Sequence, residues 1–237
     1  VITKMPEKYQ TTENPLLEFN LSIIEATNQF ACAFKPNIAF YEAHGSVGWD
    51  QLKKTIEAIP DDKLVIVDAK RGDIGNTAKA YAVAMFDELK ADMVTVNPYL
   101  GNDSLAPFIN NKNNGIFLLA LTSNPGSADI QELTASGKRV FSHVIDMAVS
   151  VNKHQNVGLV VGATKPESLP EVLDRARGLP LLLPGIGTQG GSVDTLKSAL
   201  KGYSNPIFVN VSRKIIYASQ SESFERDVHE RALKLSD

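Results

Sequence analysis

The chain has 237 residues, 43% of them hydrophobic, and its 24 Lys and Arg against 27 Asp and Glu leave a formal charge of −3. That length suits a single domain over 1–237 with one core, close to the roughly 250 residues of an α/β barrel, and basic residues scattered without a tract exclude a typical nucleic-acid-binding surface. No run approaches the roughly 18 apolar residues of a membrane span and the N-terminus lacks a signal-peptide profile, so a soluble, cytoplasmic protein without a membrane partner is expected.

In chain order, VITKMPEKYQ reads as a loop and is followed by a helix near 16–30. A strand over 31–36 (ACAFKP) comes next, with the single Cys32 in its apolar run expected to be a buried thiol. A helix near 48–59 leads to a strand over 64–69 (LVIVDA). The clearest helix then spans 74–90, where Ile74, Ala78, Tyr81, Met85 and Leu89 recur at three- and four-residue steps. Strands over 92–97, 115–122, 157–163, 180–184 and 206–211 follow, with helices near 138–153, 166–176 and 191–201. Residues 123–137, rich in Asn, Ser, Gly and Pro, read as a long loop after a strand and a candidate mobile lid.

The strands are short and apolar with little polar alternation, as parallel strands buried on both faces are. Strand and helix alternate, so the class is α/β and the expected architecture is a TIM (β/α)8 barrel; an open seven-stranded sheet fits the same spacing. Seven strands are one short of eight, and the missing one is expected to be the first, ahead of Val1.

Barrel active sites lie at the C-terminal ends of strands, so the residues leaving each strand are informative. Here they are Lys35 with Asn37, Asp68 with Lys70, Asn97, Thr122 with Ser123, Pro184, and Asn210 leading to Ser212 and Arg213. The densest group is Asp68-Ala69-Lys70-Arg71-Gly72-Asp73-Ile74-Gly75-Asn76-Thr77. Alternation along an extended chain sets Asp68 and Lys70 on one face, Gly72 permits a sharp turn, and Asp73 and Thr77, four apart, share one side of the helix start. Plainer readings stand beside these: Asp73 as a helix cap, and Asp68 with Lys70 as a structural ion pair. Three charges within six residues at one strand end favour a reacting cluster, with Arg71 an outward-facing structural or interface charge.

Leu183-Pro184-Gly185-Ile186-Gly187-Thr188-Gln189-Gly190-Gly191 follows the penultimate strand and opens a helix, where glycines and a helix N-terminus suit a phosphate. Arg213, after the last strand, is a fork-shaped donor of the right kind for the same anion; a simple turn is the plainer reading of the glycines. Lys35 reads equally as a snorkelling strand-end lysine and Ser123 as a turn residue. His44, His143, His154 and His229 have no metal-ligand spacing, and a lysine among the carboxylates would compete with a divalent cation, so neither metal nor other cofactor is expected.

FKPNIAFYEAHG, VDAKRGDIGNTAKAYA, TVNPYLG, LTSNPG, PGIGTQGG and VNVSRKIIYAS together resemble the orotidine 5'-monophosphate decarboxylase family across nearly the whole chain, and DAKRGDIGNTA is highly specific. The resemblance implies that Lys35, Asp68, Lys70 and Asp73 form an alternating charged array around the ribose and the scissile carboxylate of orotidine 5'-monophosphate. It implies Asn37 at the ribose, Ser123 at the pyrimidine, Gln189 and Arg213 at the phosphate, and Pro184 walling the carboxylate's pocket. It also implies a homodimer in which Asp73 and Thr77 reach into the neighbouring subunit's site, and an aspartate on the first strand, ahead of Val1. Magnesium-dependent hexulose phosphate synthases and keto-sugar phosphate decarboxylases share the Asp-x-Lys-x-x-Asp pattern, but Lys35 and the KRGDIGNTA context favour the metal-free nucleotide enzyme. A catalytically silent phosphate-binding barrel would keep Gln189 and Arg213 and lose the array.

Overall fold

The computed structural model describes residues 2–162, 165–185 and 197–236. Its strands are β1 (Ala33–Phe34), β2 (Leu64–Arg71), β3 (Met93–Val96), β4 (Gly115–Leu121), β5 (Thr134–Ala135), β6 (Lys138–Arg139), β7 (Val157–Val161), β8 (Leu181–Pro184) and β9 (Ile207–Asn210). Among the described residues, seven of them form one sheet in the order β1-β2-β3-β4-β7-β8-β9, and β5 pairs with β6 alone. The registers are parallel, with Val94 opposite Ile116, Leu159 opposite Leu181 and Pro184 opposite Asn210. All seven strands expected from the sequence are present. Unbroken apolar runs such as GIFLLAL and VGLVV are buried almost throughout, as strands covered on both faces must be.

The chain divides into two compact units, Val1–Asp68 with Ser212–Asp237, and Ala69–Val211. In the first, the Pro15–Thr27 helix opens with proline at its start, where a missing N–H costs nothing, and buries Leu16, Phe19 and Ile24. Phe19 stacks on Phe224 of the Phe224–Ser236 helix at 5.4 Å and on Tyr217 at 6.5 Å. The buried Gln51, on the Gly45–Glu57 helix, accepts the Leu16 and Leu17 N–H groups at 3.1 and 3.2 Å, satisfying two orphan donors of the neighbouring helix. The first ten residues are not the loop expected: Ile2–Lys4 is a 3-10 turn and Glu7–Gln10 a helical one, held where the Tyr9 hydroxyl and Lys8 ammonium both donate to Glu225. Cys32 also departs from expectation. Its thiol is exposed, because only Ala33 and Phe34 pair with β2 and Cys32 enters the ladder through its carbonyl alone, accepting Leu64 N–H at 3.1 Å.

In the second unit, the helix expected over 74–90 divides into an α-helix, Gly75–Ala82, and a π-helical turn, Val83–Glu88. Periodicity shows the apolar stripe and not the extra residue per turn. The region 123–137, expected to be a long loop and candidate mobile lid, carries a 3-10 turn at Pro125–Ser127, the Ala128–Gln131 helix and half of the β5–β6 hairpin. Ser136 (φ 50°) and Gly137 (φ 78°) supply the two successive positive φ values of a type I′ turn, for which Ser-Gly was the overlooked signal. Lys165 ties the region down, donating to the Ser127 hydroxyl at 2.8 Å and to the Glu132 carboxylate. The helix expected near 191–201 lies largely outside the described residues. Among the described residues no helix is long and apolar enough to cross a membrane.

Candidate active site

Two strand ends of the first unit meet at Asp68. Its backbone N–H donates to the Pro36 carbonyl at 2.9 Å, and a single parallel bridge sets Asn37 opposite it, extending the β1–β2 ladder past the strand proper. This brings Lys35 and Asn37 to one carboxylate: Lys35 Nζ lies 2.9 Å from Asp68 Oδ2, and Asn37 Nδ2 donates to the same oxygen at 3.4 Å. The Lys35 and Asp68 side chains are only 12% and 11% exposed, so this is no solvent-screened surface pair. The plainer reading of Lys35, a lysine reaching for water, does not describe it.

In the second unit, Lys70 has a backbone φ of 49° although it lies within β2. A left-handed non-glycine residue costs about 1–2 kcal/mol and is held only where its surroundings demand it. It also breaks the strict alternation from which Asp68 and Lys70 were placed on one face. What holds it is the buried hydroxyl of Thr95 on β3, which accepts the Ala69 and Lys70 N–H groups at 3.0 and 2.9 Å. Sequence reading missed Thr95; the signal was a lone polar residue in the apolar run MVTV, since a buried hydroxyl in a strand needs partners.

Gly72 answers to closeness rather than to a turn angle. A Cβ built there would lie 3.1 Å from the Asn97 carbonyl oxygen, in the next loop, where Asn97 N–H donates to the Arg71 carbonyl at 2.7 Å. Arg71, expected as an outward-facing structural or interface charge, is half-buried, its guanidinium 5.1 Å from the centre of the Tyr81 ring. Asp73 does not cap the following helix, which begins at Gly75 with Ile74 as its N-cap; Asp73 Oδ1 instead accepts the Ile74 N–H at 2.8 Å. Because Asp73 lies outside the helix, the four-residue rule does not relate it to Thr77, which is exposed on the first turn.

Ser123 follows β4 and lies against Gly162, where a Cβ would sit 2.7 Å from the Ser123 nitrogen. Gln131 braces the preceding residue, its Oε1 accepting Thr122 N–H at 2.8 Å and its Nε2 donating to the Thr122 hydroxyl at 2.9 Å. Pro184 is the half-buried last residue of β8. Gln189 and the rest of the glycine-rich segment beyond Gly185, expected to hold a phosphate, lie outside the described residues. Arg213, exposed, opens the four-residue Arg213–Ile216 helix three residues after β9 ends. Lys35, Asn37 and Asp68 are thus in contact, while Lys70, Asp73, Ser123 and Pro184 stand at or just beyond strand ends of the second unit. Among the described residues no group of three or more His, Cys, Asp or Glu could hold a metal ion.

The sequence profile of the orotidine 5'-phosphate decarboxylase / HUMPS family matches residues 14–225. The chain belongs to that family. An orotidine 5'-phosphate decarboxylase of Dehalococcoides mccartyi strain CBDB1 is 48% identical over 229 residues, covering 93% of this chain and 84% of its own length. One from Herpetosiphon aurantiacus is 45% identical over 225 residues, 94% and 83% of the two chains. Among solved structures, the OMP decarboxylase of Leishmania donovani superposes with a TM-score of 0.82 at 38% identity, over 93% of this chain and 87% of that one. The fold is accordingly α/β of the TIM-barrel class, and DAKRGDIGNTA, which begins on β2, lies within the matched residues.

Proposed function

We propose that this chain catalyses the decarboxylation of orotidine 5'-monophosphate to UMP, the last step of de novo pyrimidine nucleotide synthesis, without metal or organic cofactor. The observation that carries this reading is the buried Lys35–Asp68 pair on the strand that runs into KRGDIGNT, in a chain of this family. Breaking the bond from C6 to the carboxylate leaves an electron pair on C6, in the plane of the ring, where the π system cannot take it. Lys70, as an ammonium, opposes that localised charge and then transfers its proton to C6 as CO2 departs. Asp68 faces the substrate carboxylate and raises the energy of the bound anion, and Lys35 fixes Asp68 in place.

At about 4 Å and an effective dielectric near 20, one charge pair is worth about 4 kcal/mol, whereas enzymes lower barriers by roughly 8–23 kcal/mol. Lys70 alone is therefore insufficient. The remainder comes from preorganisation by binding: Asn37 at the ribose, Ser123 at the pyrimidine, Gln189 and Arg213 at the phosphate, and Pro184 against the carboxylate.

Asp73 and Thr77 serve the site of a second copy, so the working unit is a homodimer. Support comes from the apolar side chains beside them: Ile74 is 57% exposed and Tyr99 81% exposed, on loops joined through the Arg71–Asn97 hydrogen bond, with Leu100 exposed next to them. Large apolar groups gathered at one edge suit a protein interface. The unbroken family match supports one barrel domain over 1–237, and a nucleotide substrate suits the cytoplasm.

A spectrophotometric assay of orotidine 5'-monophosphate conversion to UMP, with and without chelator, tests the reading. Turnover unaffected by chelator is expected. Absence of turnover overturns it, and loss on chelation overturns its metal-free mechanism.

A further inference from the structure

We infer that Thr95 is a positioning residue for Lys70, setting the direction of its ammonium through the backbone rather than by touching substrate. The inference rests on the reading of Lys70 as the proton donor. Consecutive N–H groups of an extended strand point to opposite sides, so one oxygen cannot ordinarily receive both. Thr95 Oγ1 receives two, from Ala69 at 3.0 Å and Lys70 at 2.9 Å, and Lys70 has the left-handed φ of 49° that turns successive amides toward one acceptor. The hydrogen bonds and the dihedral are one device. A hydroxyl has the two lone pairs needed, and Thr95, only 2% exposed and flanked by the buried Val94 and Val96, holds that oxygen rigidly.

Without the oxygen, two amides lose their partner and Lys70 loses the reason for its unfavourable conformation. Relaxation to ordinary β geometry would point its side chain toward the other face of the strand. Thr95 acts on the backbone that carries Lys70, so substrate binding should be left largely intact while proton delivery is misdirected.

The test compares Thr95→Val, which removes the acceptor at nearly constant volume, with Thr95→Ser, which keeps it. Misplacing a catalytic group by about 1 Å costs on the order of 100-fold, so kcat of Thr95→Val is expected to fall about 100-fold with KM changed less than about threefold. Thr95→Ser should stay within about threefold of the parent kcat. Amide hydrogen exchange at Ala69 and Lys70 should accelerate in Thr95→Val and not in Thr95→Ser. Should Thr95→Val not fold, Thr95→Ala makes the same deletion and carries the same expectation. A kcat within threefold of the parent in the valine or alanine variant, or an equal loss in Thr95→Ser, overturns the inference. Retained decarboxylation by Lys70→Ala would instead remove the reading beneath it.

Discussion

Lys35 Nζ lies 2.9 Å from Asp68 Oδ2 with both side chains nearly nine-tenths buried. Truncating one partner of such a pair removes an opposite charge from beside the other, which costs more than the pair itself contributes. Lys35→Ala and Asp68→Ala are each expected to lower unfolding free energy by about 3 kcal/mol, and the double variant by less than the sum. Urea denaturation of the three variants measures this; strict additivity would show that the contact is energetically idle.

Lys70, exposed and strained, lends little to folding. Lys70→Ala should lose at least about 1000-fold in turnover, within the range for a general acid with an electrostatic role, while still binding UMP. Decarboxylation at the parent rate would sink the mechanism.

If Asp73 works across a subunit boundary, inactive variants should complement. Mixed Lys70→Ala and Asp73→Ala proteins, after subunit exchange, are expected to recover up to about one quarter of parental activity, from heterodimers that each keep one intact site. Exchange confirmed by mass without regained activity would place Asp73 in its own subunit's site.

Arg213 is separable from the chemistry. A charge-assisted hydrogen bond is worth about 1.5–3 kcal/mol, so Arg213→Ala should lower kcat/KM for orotidine 5'-monophosphate about 10- to 150-fold. For a substrate lacking the phosphate, the variant and the parent should be alike. A comparable loss on that truncated substrate would mean that Arg213 does something other than grip phosphate.

Acid should act on the second unit. The Glu171 carboxyl is held below its ordinary 4.5 by hydrogen bonds from Ser142 and then Arg139, and Asp146 below its ordinary 3.8, chiefly by the hydrogen bond from Lys138, with Arg175 adding to it. A depressed folded-state pKa contributes stability that is complete above the ordinary value and lost as pH falls through the depressed one. Urea midpoints should therefore be level down to about pH 5 and decline below it, and Glu171→Gln should flatten the decline. An unchanged slope in that variant would exclude Glu171 as a contributor.

The seven sheet strands were legible because runs such as GIFLLAL have no polar face to present and can only be buried on both sides. The charged residues leaving those strands were legible for a related reason: an ordinary strand end favours turn formers, and Lys35, Lys70 and Arg213 are not among them. What escaped notice depends on partners distant in sequence. Gln51 capping Leu16, Thr95 receiving the Ala69 and Lys70 amides, and Lys165 fixing Ser127 are set by the packing of elements 25 to 38 residues apart. Backbone departures were equally silent. Neither the left-handed Lys70 nor the widened turn at Val83–Glu88 disturbs the pattern of apolar residues from which helix and strand are read.

The near contact between Gly72 and the Asn97 carbonyl reaches beyond local geometry. It couples two loops that would otherwise diverge independently: a side chain at position 72 would require the Asn97 backbone, which leads to Tyr99 and Leu100, to give by a few tenths of an ångström. A single hydrogen atom at this position therefore lets the charged turn and its apolar neighbour keep a common spacing. The exposed Tyr99 and Leu100 are tied to the turn after Lys70 by the same absence of a methyl group.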